Sequence, residues 1–162
     1  MSIVSFFKEA GEKLFGIKSA AAATPAAPAG PTVEQANETA SRAIESYIAA
    51  QKLSADGLDV KFDGASGMVT VSGVAADQAT KEKILLCCGN VHGVAQVNDM
   101  MTVSQPADES RYYTVVKGDT LSAIAKSQYG NANDYMKIFE ANKPMLSNPD
   151  KIYPGQLLRI PA

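Results

Sequence analysis

The chain has 162 residues, 46% apolar and 20% charged, a balance that excludes bulk disorder and fits one ordinary domain or two small ones. Fifteen Lys and Arg against seventeen Asp and Glu give a net charge of −2 with no run of like charges, so the basic face that binds a nucleic acid is missing. No stretch reaches the ~18 apolar residues that span a bilayer. The first predicted element is a helix over residues 3–17, with Ile3, Phe6 or Phe7, Ala10, Leu14 and Ile17 on one stripe. Gly11 interrupts it and Gly16 is its expected stop. Lys8, Glu9, Glu12 and Lys13 break up the apolar residues, which is unlike a secretory signal and points to a cytoplasmic protein. Two Lys against two Glu give this helix no basic face for a membrane surface.

Residues 18–32 hold three Pro and seven Ala and read as a linker. A second helix is predicted over 32–51, capped by Thr32, with Val33, Ala36, Ala40, Ile44, Tyr47 and Ile48 facing inward. Leu58, Val60 and Phe62 alternate with charged residues as in a half-buried strand. The 63–67 turn cluster and Val69 and Val71 then close a hairpin. A third helix is expected from about 77 to 88, too mixed in composition for its inner face to be fixed, with Gly89 as its left-handed stop. Cys87 and Cys88 are neighbours, a spacing that opposes a mutual disulfide, and read as buried thiols. His92 is the sole histidine, so neither a multi-His metal site nor a serine triad can be built around a spare base. A strand over 94–103 completes an αββαβ sandwich.

After a second linker at 105–110, the pattern is strand 111–116, a short helix capped by Thr120, a second helix near 133–142 and a last strand at 157–160. Leu121, Ile124 and Ala125 face inward on the first helix, and Tyr135, Ile138 and Phe139 lie on the second. This βααβ order makes the whole chain α+β, in two small domains.

Familiar motifs lie on these elements. Tyr113-Thr114-Val115, the run from Lys117 to Ala125, Ile138 to Asn142 and Ile152 to Pro161 resemble a LysM domain. Val69 to Val74 and Gly93 to Asn98 resemble a BON domain. With Phe7 to Leu14, Lys81 to Leu85 and Phe139 to Leu146, the whole chain is similar to the small bacterial cytoplasmic potassium-binding proteins built from one BON and one LysM domain. The Ala/Pro-rich linker and the Cys87-Cys88 pair depart from that family's pattern.

The resemblance implies a layout: a docking helix at 1–17, a linker at 18–32, a BON domain at 33–104, a linker at 105–110 and a LysM domain at 111–162. It implies K⁺ as the ligand, held by main-chain oxygens at the positions matching Phe7, Ala10, Gly89, Val91 and Val94. It also implies a non-catalytic monomer that closes on the ion as a sensor or buffer. The chemistry is consistent, because a large, weakly hydrated cation favours several neutral carbonyls. Helix ends and Gly-containing turns leave carbonyls unclaimed. An ordinary helix cap and turn would use the same residues at 89–94. LysM resemblance implies an alternative, recognition of N-acetylglucosamine polymers through Gly118, Asp119, Thr120 and Leu121 with Lys143, Pro144, Met145 and Leu146. Asp119 and Thr120 would equally serve as helix caps. A structural adaptor with a protein partner is the third alternative.

Overall fold

The computed structural model describes residues 2–5 and 32–162. Helix α1 (Val33–Ala50) starts at a closed capping box. Thr32 Oγ1 accepts from the Gln35 amide at 3.3 Å, and Gln35 Oε1 accepts from the Thr32 amide at 3.0 Å. Ala40, Ile44 and Ile48, four residues apart, form its buried stripe. Val33 does not join them and is 69% exposed. Its turn lies beyond the sheet, because the strand beneath α1 ends near Gly64, level with Asn37.

That strand, β2 (Asp56–Asp63), forms the expected hairpin with β3 (Met68–Asp77), pairing Val60 with Val71. Helix α2 (Gln78–Gly89) crosses over to β4 (Gln96–Gln105), which runs parallel to β3 from Met68↔Gln96 to Asp77↔Gln105. Strand β1 (Ser2–Ser5) adds antiparallel to the other side of β4, giving the order β1-β4-β3-β2. Helix α1 and α2 cover the sheet over a core that includes Ile44, Ile48, Val69, Val71, Ile84 and Val97.

The expected helix over 3–17 is corrected at its start, since residues 3–5 are strand. Pairing with the β4 edge overrides the helical spacing of this short β-branched segment. Residues 6–17, and the linker as far as 31, lie outside the described residues.

Among the described residues, the outer edge of β2 is closed without a partner strand. Glu45 Oε1 accepts from the Val60 amide at 3.2 Å, Ser41 Oγ from Phe62 at 2.9 Å and Asn37 Oδ1 from Gly64 at 3.0 Å. A spacing of four on α1 thus meets a spacing of two on β2. The Leu58 amide turns back to the Ala55 carbonyl at 3.3 Å.

The second unit comprises β5 (Arg111–Thr114), α3 (Leu121–Tyr129), a 3₁₀ turn at Ala132–Asp134, α4 (Tyr135–Ala141) and β6 (Leu157–Ile160). Strands β5 and β6 are antiparallel. Leu121, Ile124, Ile138, Leu158 and Ile160 form its separate core. The two α+β units match the expected class. Among the described residues no helix is long and apolar enough to cross a membrane.

Candidate functional site

The candidate ion-binding turn at 89–94 joins α2 to β4. Asp77 caps the start of α2, its Oδ1 accepting from the Thr80 amide at 2.7 Å. The helix is buried on two sides, which explains its mixed composition. Ile84, Leu85, Cys87 and Cys88 enter the first core. Glu82, Leu86 and Asn90, again four apart, form a second stripe; Glu82 and Asn90 reach β6, and Leu86 between them is 1% exposed. Burial pushes the Cys87 thiol up to about 12, and the Cys88 thiol upward too, so neither supplies a thiolate at neutral pH.

Gly89 is not the left-handed stop expected from the sequence. It is the last helical residue, and Asn90 caps the helix at φ −89°, its amide bonded to the Leu86 carbonyl at 2.9 Å. The left-handed residue is Gly93 at φ +90°. The Val91 amide goes to the Cys88 carbonyl at 3.3 Å and the Val94 amide to Val91 at 3.2 Å. None of these amides is directed at the Gly89 carbonyl. The carbonyl ends at this helix terminus also carry the negative pole of the helix dipole.

The turn is held from below. Val91 and Val94 are 2% and 1% exposed as whole residues, and their side chains anchor the turn in the first core. Gly67, at the hairpin tip, accepts from the Ala95 amide at 2.7 Å. A Cβ on Gly67 would come within 3.0 Å of the Gly93 oxygen, so this approach requires glycine.

Phe7 and Ala10 lie outside the described residues. The register of β1 bears on them, because Ser5 pairs with Gln96, at the start of β4. Phe7 follows Ser5 by two residues and Val94 precedes Gln96 by two. Val94 is therefore within about 7 Å of that pair along the chain. Among the described residues no group of three His, Cys, Asp or Glu side chains is placed to hold a metal. The candidate ligands on this turn are peptide oxygens.

The alternative glycan positions have structural duties. Asp119 Oδ2 accepts from the Tyr113 hydroxyl at 2.8 Å and the Val116 amide at 2.9 Å. Thr120 caps α3 through the Ala123 amide at 3.1 Å, beside Gly118 in its left-handed turn. Leu121 and Leu146 are core residues. Lys143 pairs with Glu140 at 2.7 Å and lies over the Phe139 ring, while Pro144 stays exposed. Met145 packs against the core of the first unit.

Sequence reasoning missed the polar seam between the units. Glu82 Oε1 accepts from Gln78 Nε2 at 2.9 Å and from the Ser110 amide at 2.7 Å, and Oε2 pairs with Arg159. Burial alone would raise the Glu82 carboxyl, but donors from Gln78, Ser110 and Arg159 outweigh it and hold it below the ordinary Glu value. Asn90 Nδ2 donates to the Leu157 carbonyl at 3.1 Å, and Asn90 Oδ1 accepts from the Leu157 amide at 2.9 Å. A charged residue on a helix with no polar face was the available signal for this seam.

A BON domain model matches residues 36–105 and a LysM domain model matches residues 113–161. Fold and matches together define a BON–LysM protein. The chain is 43% identical over 162 residues, 99% of both chains, to the potassium binding protein Kbp of Escherichia coli O6:H1. It is 54% identical over 50 residues, 31% of this chain and 19% of the other, to an uncharacterized protein of Deinococcus radiodurans. The chain belongs to the family of bacterial potassium-binding proteins that join one BON domain to one LysM domain.

Proposed function

We propose that this protein binds K⁺, with Rb⁺ and Cs⁺ preferred over Na⁺, through the carbonyls of Phe7, Ala10, Gly89, Val91 and Val94. The ligand is cargo, and the role is that of a cytoplasmic sensor or buffer, monomeric and without catalysis. The principal support is the β1 register, which starts the Phe7 segment beside the strand that the 89–94 turn feeds. Neutral oxygens at a helix C-terminus suit a monovalent ion of low charge density. The full-length similarity to a potassium binding protein points the same way. Ion binding would bring the N-terminal segment and the turn together and close the LysM domain on them.

Titration calorimetry of the full chain across the alkali metals tests this. Saturable heat is expected with K⁺, Rb⁺ and Cs⁺ and little with Na⁺. At 100 times its dissociation constant the ion should stabilise the fold by about 2.7 kcal/mol. Deleting residues 1–16 should abolish the K⁺ heat. Equal responses to K⁺ and Na⁺ would contradict the proposal, and saturable retention on peptidoglycan without a K⁺ response would favour the LysM alternative.

A further inference from the structure

The outer edge of β6 carries two unpaired residues of a strand, and an asparagine closes each. Asn142, the C-cap of α4, donates through Nδ2 to the Arg159 carbonyl at 2.8 Å and accepts from the Arg159 amide at 2.8 Å. Asn90, the C-cap of α2, makes the same two bonds with Leu157. A primary amide offers one donor and one acceptor in the arrangement of a peptide, so each side chain imitates a paired strand residue. Asn142 does this within its own domain. Asn90 does it across the domain boundary, from inside the candidate ion-binding turn.

We infer that Asn90 is a positioning residue for the ion site: its amide fastens the Gly89–Val91 main chain to β6, so that the carbonyls face the ion before it arrives. The inference rests on the proposed K⁺ function. The physical need for such a fastening is local. Gly89 and Gly93 flank the turn, and glycine leaves the backbone more conformers to lose than any other residue. The Gly89 oxygen belongs to the peptide that ends at the Asn90 nitrogen, one bond from the Asn90 Cα. The Asn90 amide already ties that peptide plane to the Leu86 carbonyl, and two hydrogen bonds from its side chain hold the same residue against β6. An oxygen already aimed costs the incoming ion less ordering. The anchor itself is firm, since Leu157 is 4% exposed and lies on a strand bonded to β5. Reciprocity follows: if docking on β6 favours the ion, the ion favours docking by the same factor.

The test uses the full chain with Asn90→Ala and Asn90→Asp, titrated with KCl and with NaCl by calorimetry. Circular dichroism first establishes that each variant is folded. Asn90→Ala is expected to weaken K⁺ binding about tenfold, within the range of site-to-site coupling. It should narrow the preference for K⁺ over Na⁺, which a loss of stability alone would not do. Asn90→Asp keeps the acceptor for the Leu157 amide but loses the donor, and should fall between. Wild-type K⁺ affinity and selectivity in folded Asn90→Ala would overturn the inference and leave the K⁺ function standing. A wild type that takes up no K⁺ would overturn both.

Discussion

The edges of β2 and β6 meet the same problem in different ways. Each presents outward backbone groups with no strand among the described residues beside them, a surface that invites pairing with another chain. On β2, Asn37, Ser41 and Glu45 come from α1 of the same domain. On β6 the asparagines come from two domains, Asn142 from α4 and Asn90 from α2. One chemistry thus closes a sheet in the first case and joins two domains in the second. A side-chain cap inside a domain secures the fold. A cap shared between domains makes the position of one depend on the other.

Four substitutions sharpen this contrast. The largest effect is expected from Glu82→Ala on the shared side. It would leave Arg159 without its buried partner, and removing one member of a buried pair costs about 3–5 kcal/mol, measurable by urea unfolding. Asn142→Ala is next. It removes the acceptor for the Arg159 amide and the donor to the Arg159 and Ile138 carbonyls. A loss of about 2–3 kcal/mol is expected in LysM stability, with K⁺ affinity retained. Ser41→Ala leaves the Phe62 amide unpaired and should cost about 1 kcal/mol, again without effect on K⁺. Equal effects of Asn142→Ala and Asn90→Ala on K⁺ affinity would erase the distinction between the two caps on β6.

The smallest effect is one of pH. The Glu82 carboxyl is held below its ordinary value in the folded chain. Its contribution is therefore complete above the ordinary Glu range and is lost as pH falls through the lower folded value. Urea midpoints measured from neutral pH downward should fall in the acid limb, and Glu82→Gln should flatten that part of the profile. An unchanged slope in Glu82→Gln would separate the seam from acid stability.

Most of the fold was legible because its signals are local. Thr32, three residues before Gln35, announces a helix start, and alternation at Val60, Phe62, Val69 and Val71 announces a hairpin. The LysM elements follow from caps and turns in the same way. The misreadings arise where distant contacts decide. Residues 3–5 have helical spacing but pair with β4, more than ninety positions away in sequence. Gly89 resembles a stop, yet Asn90 caps the helix while its side chain is held by Leu157. Helix α2 lacked a clear inner face because a sheet covers one side and a second domain the other. Of the candidate ion ligands, the sequence marks Gly89, Val91 and Val94 only as a glycine-punctuated turn. Main-chain oxygens leave no side-chain signature, so the family resemblance carried the assignment.

The central claim concerns particular carbonyl carbons, and carbonyl ¹³C chemical shifts measured as KCl replaces NaCl at constant ionic strength test it most directly. The shifts of Phe7, Ala10, Gly89, Val91 and Val94 should move together along one saturable isotherm. Shifts that stay still at these five positions, or that move equally with NaCl, would contradict it.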